Sequence, residues 1–285
     1  MGESQLKPAD SQPPEGARPS EPPYSAVISV SSERAVTTIT LNAVDNRNAL
    51  SSTLVAGLSG ALEEAAADEA VRAVVLTHSG GTFCAGADLR EALGRGLSPE
   101  EATAESASSM VGMMRSMLTM PKPVIVVANG HVRAGGFGLV GAADMAFVGP
   151  EATFALTEAR LGLAPSIISV VLVPKMTPRS AGRYFLTGEK FDPATAERIG
   201  LVTQAASSDE ELTDLVDEVL DGVRKASPQG LAASKALTTA AILDGFEELA
   251  ARRAAESAAL FASDDAREGM TAFLTKQRPS WDSSR

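Results

Sequence analysis

The sequence is poor in the residues that build disulfides and metal sites. It contains one cysteine, two histidines and only 4% aromatic residues. The lone Cys84 excludes an intramolecular disulfide and is typical of a protein from a reducing compartment. His78 and His131 lie far apart in the sequence, and no cluster of acidic residues or cysteines has the spacing of metal ligands. We therefore expect no metal site and a cytoplasmic location.

Positive charge and long apolar runs are also scarce. Acidic residues outnumber basic ones by 36 to 25, which gives a formal net charge of −11. The overall field of such a protein does not attract nucleic acid or anionic lipid. No apolar run approaches the ~20 residues that a membrane-spanning helix requires. We therefore expect neither a nucleic-acid nor a membrane partner. Because the net charge is negative, an anionic ligand must be held by local cations and helix N-termini.

The pattern of the chain changes twice. Residues 1–24 are rich in proline and polar residues and carry four acidic side chains, unlike a signal peptide or an organellar presequence. This composition predicts a disordered tail. Strands and helices alternate over residues 25–207, and a helical pattern continues through residues 208–285. The sequence thus predicts an α/β core followed by a helical region.

Two glycine-rich turns follow two apolar runs. The runs, residues 73–77 and 124–128, are typical of strands that are buried on both faces. Residues 83–89 (FCAGADL) follow the first run, and residues 129–136 (NGHVRAGG) follow the second. Glycine at the end of a strand lets backbone N–H groups approach a ligand closely. Two such turns can aim two N–H groups at one oxygen, as an oxyanion hole requires.

Glu158 stands out because its surroundings in the sequence are apolar. Between Ala152 and Pro174 the only ionisable side chains are Glu158 and Arg160. A carboxyl group in apolar surroundings has a raised pKa, which suits a general acid or base. The alternative is a structural role, at a helix N-terminus or on a solvated edge with Arg160 as its partner. Both interpretations stay open at this point.

Three other patterns have simpler explanations. Residues 136–141 (GFGLVG) match a dinucleotide fingerprint, but seven residues separate them from the preceding apolar run, and the fingerprint requires its first glycine immediately after the strand. Methionines at helical spacing from Met110 to Met117 are typical of a core, although flexible thioethers also line acyl pockets. His131 follows a turn glycine, and we expect a structural hydrogen-bonding role for it.

Several of these segments are similar to the motifs of one family. From about Tyr24 to Trp281 the chain resembles the crotonase superfamily, the enoyl-CoA hydratases and isomerases. The similar segments, in family order, are residues 41–51 (LNAVDNRNALS), 82–89 (TFCAGADL), 129–136, 186–202 and 264–273. The resemblance implies an α/β fold, a crotonase-like spiral of ββα units with a C-terminal helical trimerisation region. It also implies a homotrimer or hexamer, a coenzyme A thioester as substrate and no further cofactor.

The resemblance also implies roles for individual residues. By motif position, the N–H groups of Ala87 and Gly135 hold the thioester oxygen, and Glu158 is the catalytic base. The residues implied at the coenzyme A site are Arg47, Ala85, Asp88 and Arg90, with Phe273 and Lys276 supplied by a neighbouring subunit.

One departure from the family pattern bears on the reaction. Family hydratases carry two glutamates that hold and activate water; the second corresponds to Glu158, and the first falls at Gly138. Hydration of a 2-enoyl-CoA is the leading prediction, because Glu158 and the glycine turns are retained. It requires a substitute for the missing acid, such as His131, Asp88 or a bound water. The alternatives are a double-bond isomerase that uses Glu158 alone and a non-catalytic acyl-CoA-binding homologue.

Overall fold

The computed structural model describes residues 26–88, 91 and 94–284. The tail predicted over residues 1–24 and Arg90 of the predicted coenzyme A site lie outside the described residues. The strands are β1 (Ile28–Glu33), β2 (Val36–Leu41), β3 (Ala73–His78), β4 (Thr82–Cys84), β5 (Val124–Ala128), β6 (His131–Arg133), β7 (Met145–Val148), β8 (Thr153–Ala155) and β9 (Gln204–Ala205).

The helices in the described part of the chain follow the same order. The α-helices are α1 (Ser52–Ala67), α2 (Pro99–Thr119), α3 (Gly135–Ala142), α4 (Ser169–Leu172), α5 (Pro178–Thr187), α6 (Pro193–Arg198), α7 (Asp209–Lys225), α8 (Pro228–Leu243), α9 (Phe246–Phe261) and α10 (Asp264–Thr275). Two 3₁₀-helices are η1 (Val44–Asn46) and η2 (Glu158–Leu161). Within these residues, no helix has the length and apolar character needed to cross a bilayer.

The strands form two sheets that the chain visits in turn. The larger sheet has the order β1-β2-β3-β5-β7-β9 and the smaller one the order β4-β6-β8. The short apolar segments at residues 26–30 and 35–41 predict a hairpin, which the structure confirms as β1-β2, the one antiparallel strand pair in the sheets that it describes. Its turn is at Arg34 and Ala35, which both have positive φ. Each of β3, β5 and β7 is followed by a strand of the smaller sheet, and β6 leads directly into α3. This repetition confirms the α/β fold with a spiral of ββα units.

The larger sheet is buried on both faces, as its apolar runs predict. Along β3, Val74 and Leu76 pack into a core that includes residues of α1 and α2. The alternate residues, Ala73 and Val75, pack into a second core with apolar residues of α7. Successive side chains of a strand point to opposite faces, so these two cores lie on opposite sides of the sheet.

The sequence predicts helix starts at Ser51 or Ser52 and at Ser98, which Pro99 follows, and the structure confirms both. The Ser51 hydroxyl accepts a hydrogen bond from the Leu54 N–H group at the start of α1. Ser98 and Glu101 form a reciprocal capping box at the start of α2. The methionines of α2 are buried, as expected of a core: Met110, Met113, Met114 and Met117.

A buried ion pair joins α8 to the sheet. Lys235 Nζ lies 2.8 Å from Asp144 Oδ2. The same ammonium group donates hydrogen bonds to the carbonyls of Met117 at 2.6 Å and Lys122 at 2.9 Å. Asp144 in turn accepts a hydrogen bond from the Val124 N–H group at 2.7 Å. Burial lowers the pKa of Lys235, which the facing carboxylate opposes.

Candidate active site

The smaller sheet brings three segments of interest to one edge. Its strands are parallel, with Cys84 paired to Val132 and Val132 to Phe154. The carboxyl ends of parallel strands lie at the same edge of a sheet, about 4.8 Å apart from one strand to the next. The chain leaves this edge through Gly86 and Ala87 after β4, Gly135 after β6 and Glu158 after β8. The sheet thus gathers residues from three distant parts of the sequence.

The first glycine turn is held by the segment before α1. The Leu50 N–H group donates a hydrogen bond of 2.7 Å to the Gly86 carbonyl, and Leu50 forms a parallel bridge with Ala87. A parallel bridge uses the peptide groups on either side of the paired residue, so the Ala87 N–H group takes no part in it. Gly86 has a φ of +97°, a conformation open to glycine but costly for other residues.

The second turn ends where α3 begins. Gly135 is the first residue of α3, so its N–H group has no acceptor within the helix. Ala134, just before it, has φ 42° and ψ −118°. The turns touch, since a Cβ atom on Gly86 would lie 3.4 Å from the Gly135 nitrogen. The structure therefore brings the segments of Ala87 and Gly135 together, as an oxyanion hole requires.

Glu158 has the properties of a general base or acid. Its Oε2 atom is buried and has no hydrogen-bond partner among the described residues. Burial raises the pKa of its carboxyl group to about 7. Arg160 does not neutralise it, because the Arg160 Nε donates to the Thr187 carbonyl at 2.8 Å. Glu158 does begin η2, as one form of the structural alternative expects, but Arg160 is not its partner.

His131 and Arg133 are tied to the smaller sheet. His131, the first residue of β6, is at the edge away from Glu158, and its Nδ1 lies 2.8 Å from the Thr153 hydroxyl. Arg133 donates to the carbonyl and the hydroxyl of Thr153 at 2.6 and 2.8 Å. The expected structural role of His131 is thus supported, and the geometry argues against His131 as the substitute acid. Arg133, which the sequence left without a role, joins β6 to β8.

Apolar side chains cover Gly138, the position at which the resemblance places the first glutamate of the family hydratases. A Cβ atom on Gly138 would lie 2.7 Å from Met110 Sδ, 3.0 Å from Ile168 Cγ2 and 3.4 Å from Met114 Sδ. The sequence showed that a carboxylate is absent at Gly138, but it did not show which side chains fill the space. The helical spacing of the methionines was a signal, but nothing in it paired Met110 with Gly138.

The remaining predicted residues lie around the first turn and at the end of α10. Arg47 is exposed, in the left-handed conformation that ends η1. The Asp88 carboxylate accepts hydrogen bonds of 3.1 Å from the Asn46 side chain and from the Glu91 N–H group. Two predicted residues at the end of α10 are exposed, Phe273 with 69% of its surface accessible, and Lys276. Ala85 is partly buried within the first turn.

Two residues near the first turn have a structural function. The buried Asn48 side chain, which sequence reasoning missed, donates to the carbonyls of Ser79 at 3.1 Å and Thr82 at 2.7 Å. It thereby holds the segment before α1 against the connection between β3 and β4. Burial raises the pKa of Cys84 to about 12, so its thiol is protonated and is not a nucleophile.

Comparison with known proteins agrees with this architecture. The sequence profile of the enoyl-CoA hydratase/isomerase family matches residues 31–284. A carnitinyl-CoA dehydratase of Proteus mirabilis is 31% identical over 220 residues, which are 75% of this chain and 82% of that protein. The crystal structure of an enoyl-CoA hydratase from Mycobacterium avium has 52% sequence identity and a TM-score of 0.84, covering 90% of this chain and 99% of that one.

A second solved structure extends the likeness. Carnitinyl-CoA hydratase from Mycobacterium avium has 29% identity and a TM-score of 0.76, with 91% of this chain and 99% of that chain covered. The same family is indicated by the two adjacent glycine turns, the spiral of ββα units and the family profile. This chain therefore belongs to the enoyl-CoA hydratase/isomerase family of the crotonase superfamily and is an acyl-CoA-processing enzyme of the lyase type.

Proposed function

We propose that the enzyme adds water to a 2-enoyl-CoA with Glu158 as its single catalytic carboxyl group. The observation that carries the proposal is the buried Oε2 atom of Glu158, which has no hydrogen-bond partner in the part of the chain that the structure describes and lies at the sheet edge shared with Gly86 and Gly135. The N–H groups of Ala87 and Gly135 bind the thioester oxygen. One such donor contributes about 3–4 kcal/mol to lowering the barrier.

The reaction requires two proton transfers, and both use Glu158. The Glu158 carboxylate takes a proton from water as the water oxygen bonds to the β-carbon. The electron pair of the double bond moves toward the thioester, and the two N–H groups stabilise the resulting enolate oxygen. Protonated Glu158 then returns the proton to the α-carbon. A pKa of about 7 suits a group that must accept and release a proton near neutral pH.

The coenzyme A portion is bound mainly by side chains around the first turn. Arg47 and Arg90 attract its phosphates, and Ala85 and Asp88 line the adjacent turn. In a homotrimer or a hexamer of two trimers, Phe273 and Lys276 of a neighbouring subunit complete the site. The support for this arrangement is the motif positions and the exposure of Arg47, Phe273 and Lys276. We assign the enzyme to cytoplasmic acyl-CoA metabolism, in keeping with its lone, unpaired cysteine.

Double-bond isomerisation is a second candidate, and the surroundings of Gly138 favour it. The atoms that face this position belong to Met110, Met114 and Ile168. None of them can hold the attacking water together with Glu158 as a second carboxylate would. An isomerase needs no such ligand, since Glu158 takes a proton from one carbon of a 3-enoyl-CoA and returns it to another. No water is added, and the mass of the thioester is unchanged.

The test uses a short 2-enoyl-CoA in water enriched in heavy oxygen, with product mass followed over time. Hydration predicts a gain in product mass that includes the heavy oxygen. The rate of this gain should fall by about 100-fold or more in Glu158→Gln. The matched control is Glu151→Gln, which changes an exposed glutamate seven residues earlier in the chain and should retain full activity. Conversion of a 3-enoyl-CoA without mass gain would favour the isomerase. Binding without any turnover would indicate a non-catalytic homologue.

A further inference from the structure

Met110 covers two positions of α3 that are one helical turn apart. A Cβ atom on Gly138 would lie 2.7 Å from Met110 Sδ, and a Cβ atom on Gly135 would lie 2.8 Å from Met110 Cε. The thioether group of one side chain therefore spans the start of α3. Met110 is almost fully buried, with 4% of its surface accessible.

The neighbours of Met110 complete an apolar wall. Ile168 Cγ2 and Met114 Sδ approach the same Gly138 position, at 3.0 and 3.4 Å. Met113 is equally buried on α2, but it is not among the atoms nearest to Gly135 or Gly138. Met110 thus differs from the other buried methionines of its helix in its contact with the residue that begins α3.

The position of this wall has a consequence for the acyl group. If the Gly135 N–H group binds the thioester oxygen, Met110, whose Cε atom lies against the Cβ position of Gly135, is close to the carbonyl end of the acyl group and not to its far end. Small differences in the volume of an apolar pocket discriminate strongly, since one methylene group changes specificity by about 10- to 200-fold. A thioether in this place leaves little room for a branch.

We propose that Met110 is a specificity-determining residue that restricts the enzyme to acyl groups without a branch beside the thioester carbonyl. The proposal rests on the proposed function for the binding of an acyl-CoA at Gly135. It does not depend on whether the bound thioester is hydrated or isomerised.

Binding of saturated thioesters tests the proposal without any turnover. Dissociation constants are measured for butyryl-CoA and 2-methylbutyryl-CoA with the full-length protein and three variants. Met110→Ala should shift the affinity ratio toward the branched thioester by about 10-fold. Met113→Ala, the matched control for a lost buried methionine, should leave the ratio unchanged. Met110→Leu, which retains most of the volume, should keep the preference of the original protein.

The outcomes separate this proposal from the proposed function. An unchanged ratio in a Met110→Ala protein that unfolds cooperatively would overturn the role of Met110, as would an equal shift in Met113→Ala. If Met110→Ala unfolds, a Met110→Val protein provides the same comparison with a smaller loss of volume. A shifted ratio together with no hydration of any 2-enoyl-CoA would overturn the hydratase assignment alone.

Discussion

The Cβ atom of Ala134 lies 2.6 Å from the position that a Cβ atom on Gly86 would occupy. This distance is shorter than real Cβ contacts allow, so the approach of the two turns depends on the absence of a side chain at Gly86. The N–H groups of Ala87 and Gly135 each lie one residue beyond this contact. Gly86 therefore controls the separation of the two groups proposed to bind the thioester oxygen.

A methyl group at position 86 should damage both stability and activity. We expect Gly86→Ala to lose about 1–3 kcal/mol of unfolding free energy, because its φ of +97° is strained for alanine. Displacement of one oxyanion donor should lower kcat by about 100-fold. Urea unfolding and steady-state kinetics measure the two effects. Gly81→Ala is the control, since among the described residues, apart from its two chain neighbours, none has an atom within 4 Å of the Cβ position of Gly81. Equal losses in both variants would contradict this explanation.

Ala134 has backbone angles that favour glycine, with φ 42° and ψ −118°. Such strain costs of the order of 1–3 kcal/mol, whereas glycine costs about 0.4–1 kcal/mol through the unfolded chain. We expect Ala134→Gly to raise the free energy of unfolding by about 1 kcal/mol and to lower kcat, because the Gly135 N–H group is then less firmly oriented. Ala104→Gly, within the exposed face of α2, should instead lose about 1 kcal/mol. A lower free energy of unfolding in Ala134→Gly would contradict the backbone strain inferred at this position.

Glu158 should make the stability of the enzyme depend on pH. Burial raises its pKa to about 7 in the folded protein, from the ordinary glutamate value of 4.5. The folded state thus binds more protons between these values, and stability falls as pH rises from about 4.5 to 7. Glu158→Gln should be more stable than the original enzyme by about 3 kcal/mol at pH 8 and no more stable at pH 4. Urea unfolding at both pH values, with Glu151→Gln as control, tests this; a pH-independent difference would contradict the raised pKa.

The buried pair of Lys235 and Asp144 should be essential for stability. Asp144 also interacts with Lys175, but Lys235→Ala removes the ammonium group that contacts the Asp144 carboxylate and two carbonyls. We therefore expect Lys235→Ala to lose about 3 kcal/mol of unfolding free energy, at the lower end of the range for a broken buried pair. The exposed pair of Arg267 and Asp264 is the comparison, and Arg267→Ala should cost less than about 1 kcal/mol. Chemical denaturation of both variants measures the difference. Similar losses in the two proteins would show that burial does not determine the cost.

The sequence predicted most of the larger sheet and the helix starts because these depend on local signals. Ser98 and Glu101 form the predicted cap, and the apolar run of β5 lies where expected. Residues 152–154 are strand-like in the sequence and overlap β8, but β4 and β6 of the smaller sheet were not predicted, because three residues are too few to form a periodic pattern. Helix α5 was also missed, although its Pro178 follows Thr177 in the arrangement of a helix start.

The site could be predicted only in part. The glycine turns and Glu158 were found from composition and motif order, since each signal lies within a short stretch of chain. The shared edge of β4, β6 and β8 depends on pairing between residues as far apart as Cys84 and Phe154. The contact between Met110 and Gly138 arises from the packing of two helices, which no local pattern encodes.

The three-residue strands of the smaller sheet set the distances between the segments that follow them. The spacing between neighbouring strands is a constant of backbone hydrogen bonding, so it fixes how far apart the segments after β4, β6 and β8 can lie. Residues beyond the strands can change without altering this spacing. A chain with such a frame can carry glycine at position 138, where the family resemblance places a carboxylate, and still hold the segments of Ala87 and Gly135 next to each other. A different reaction then requires the exchange of only one residue beyond the strands at a time.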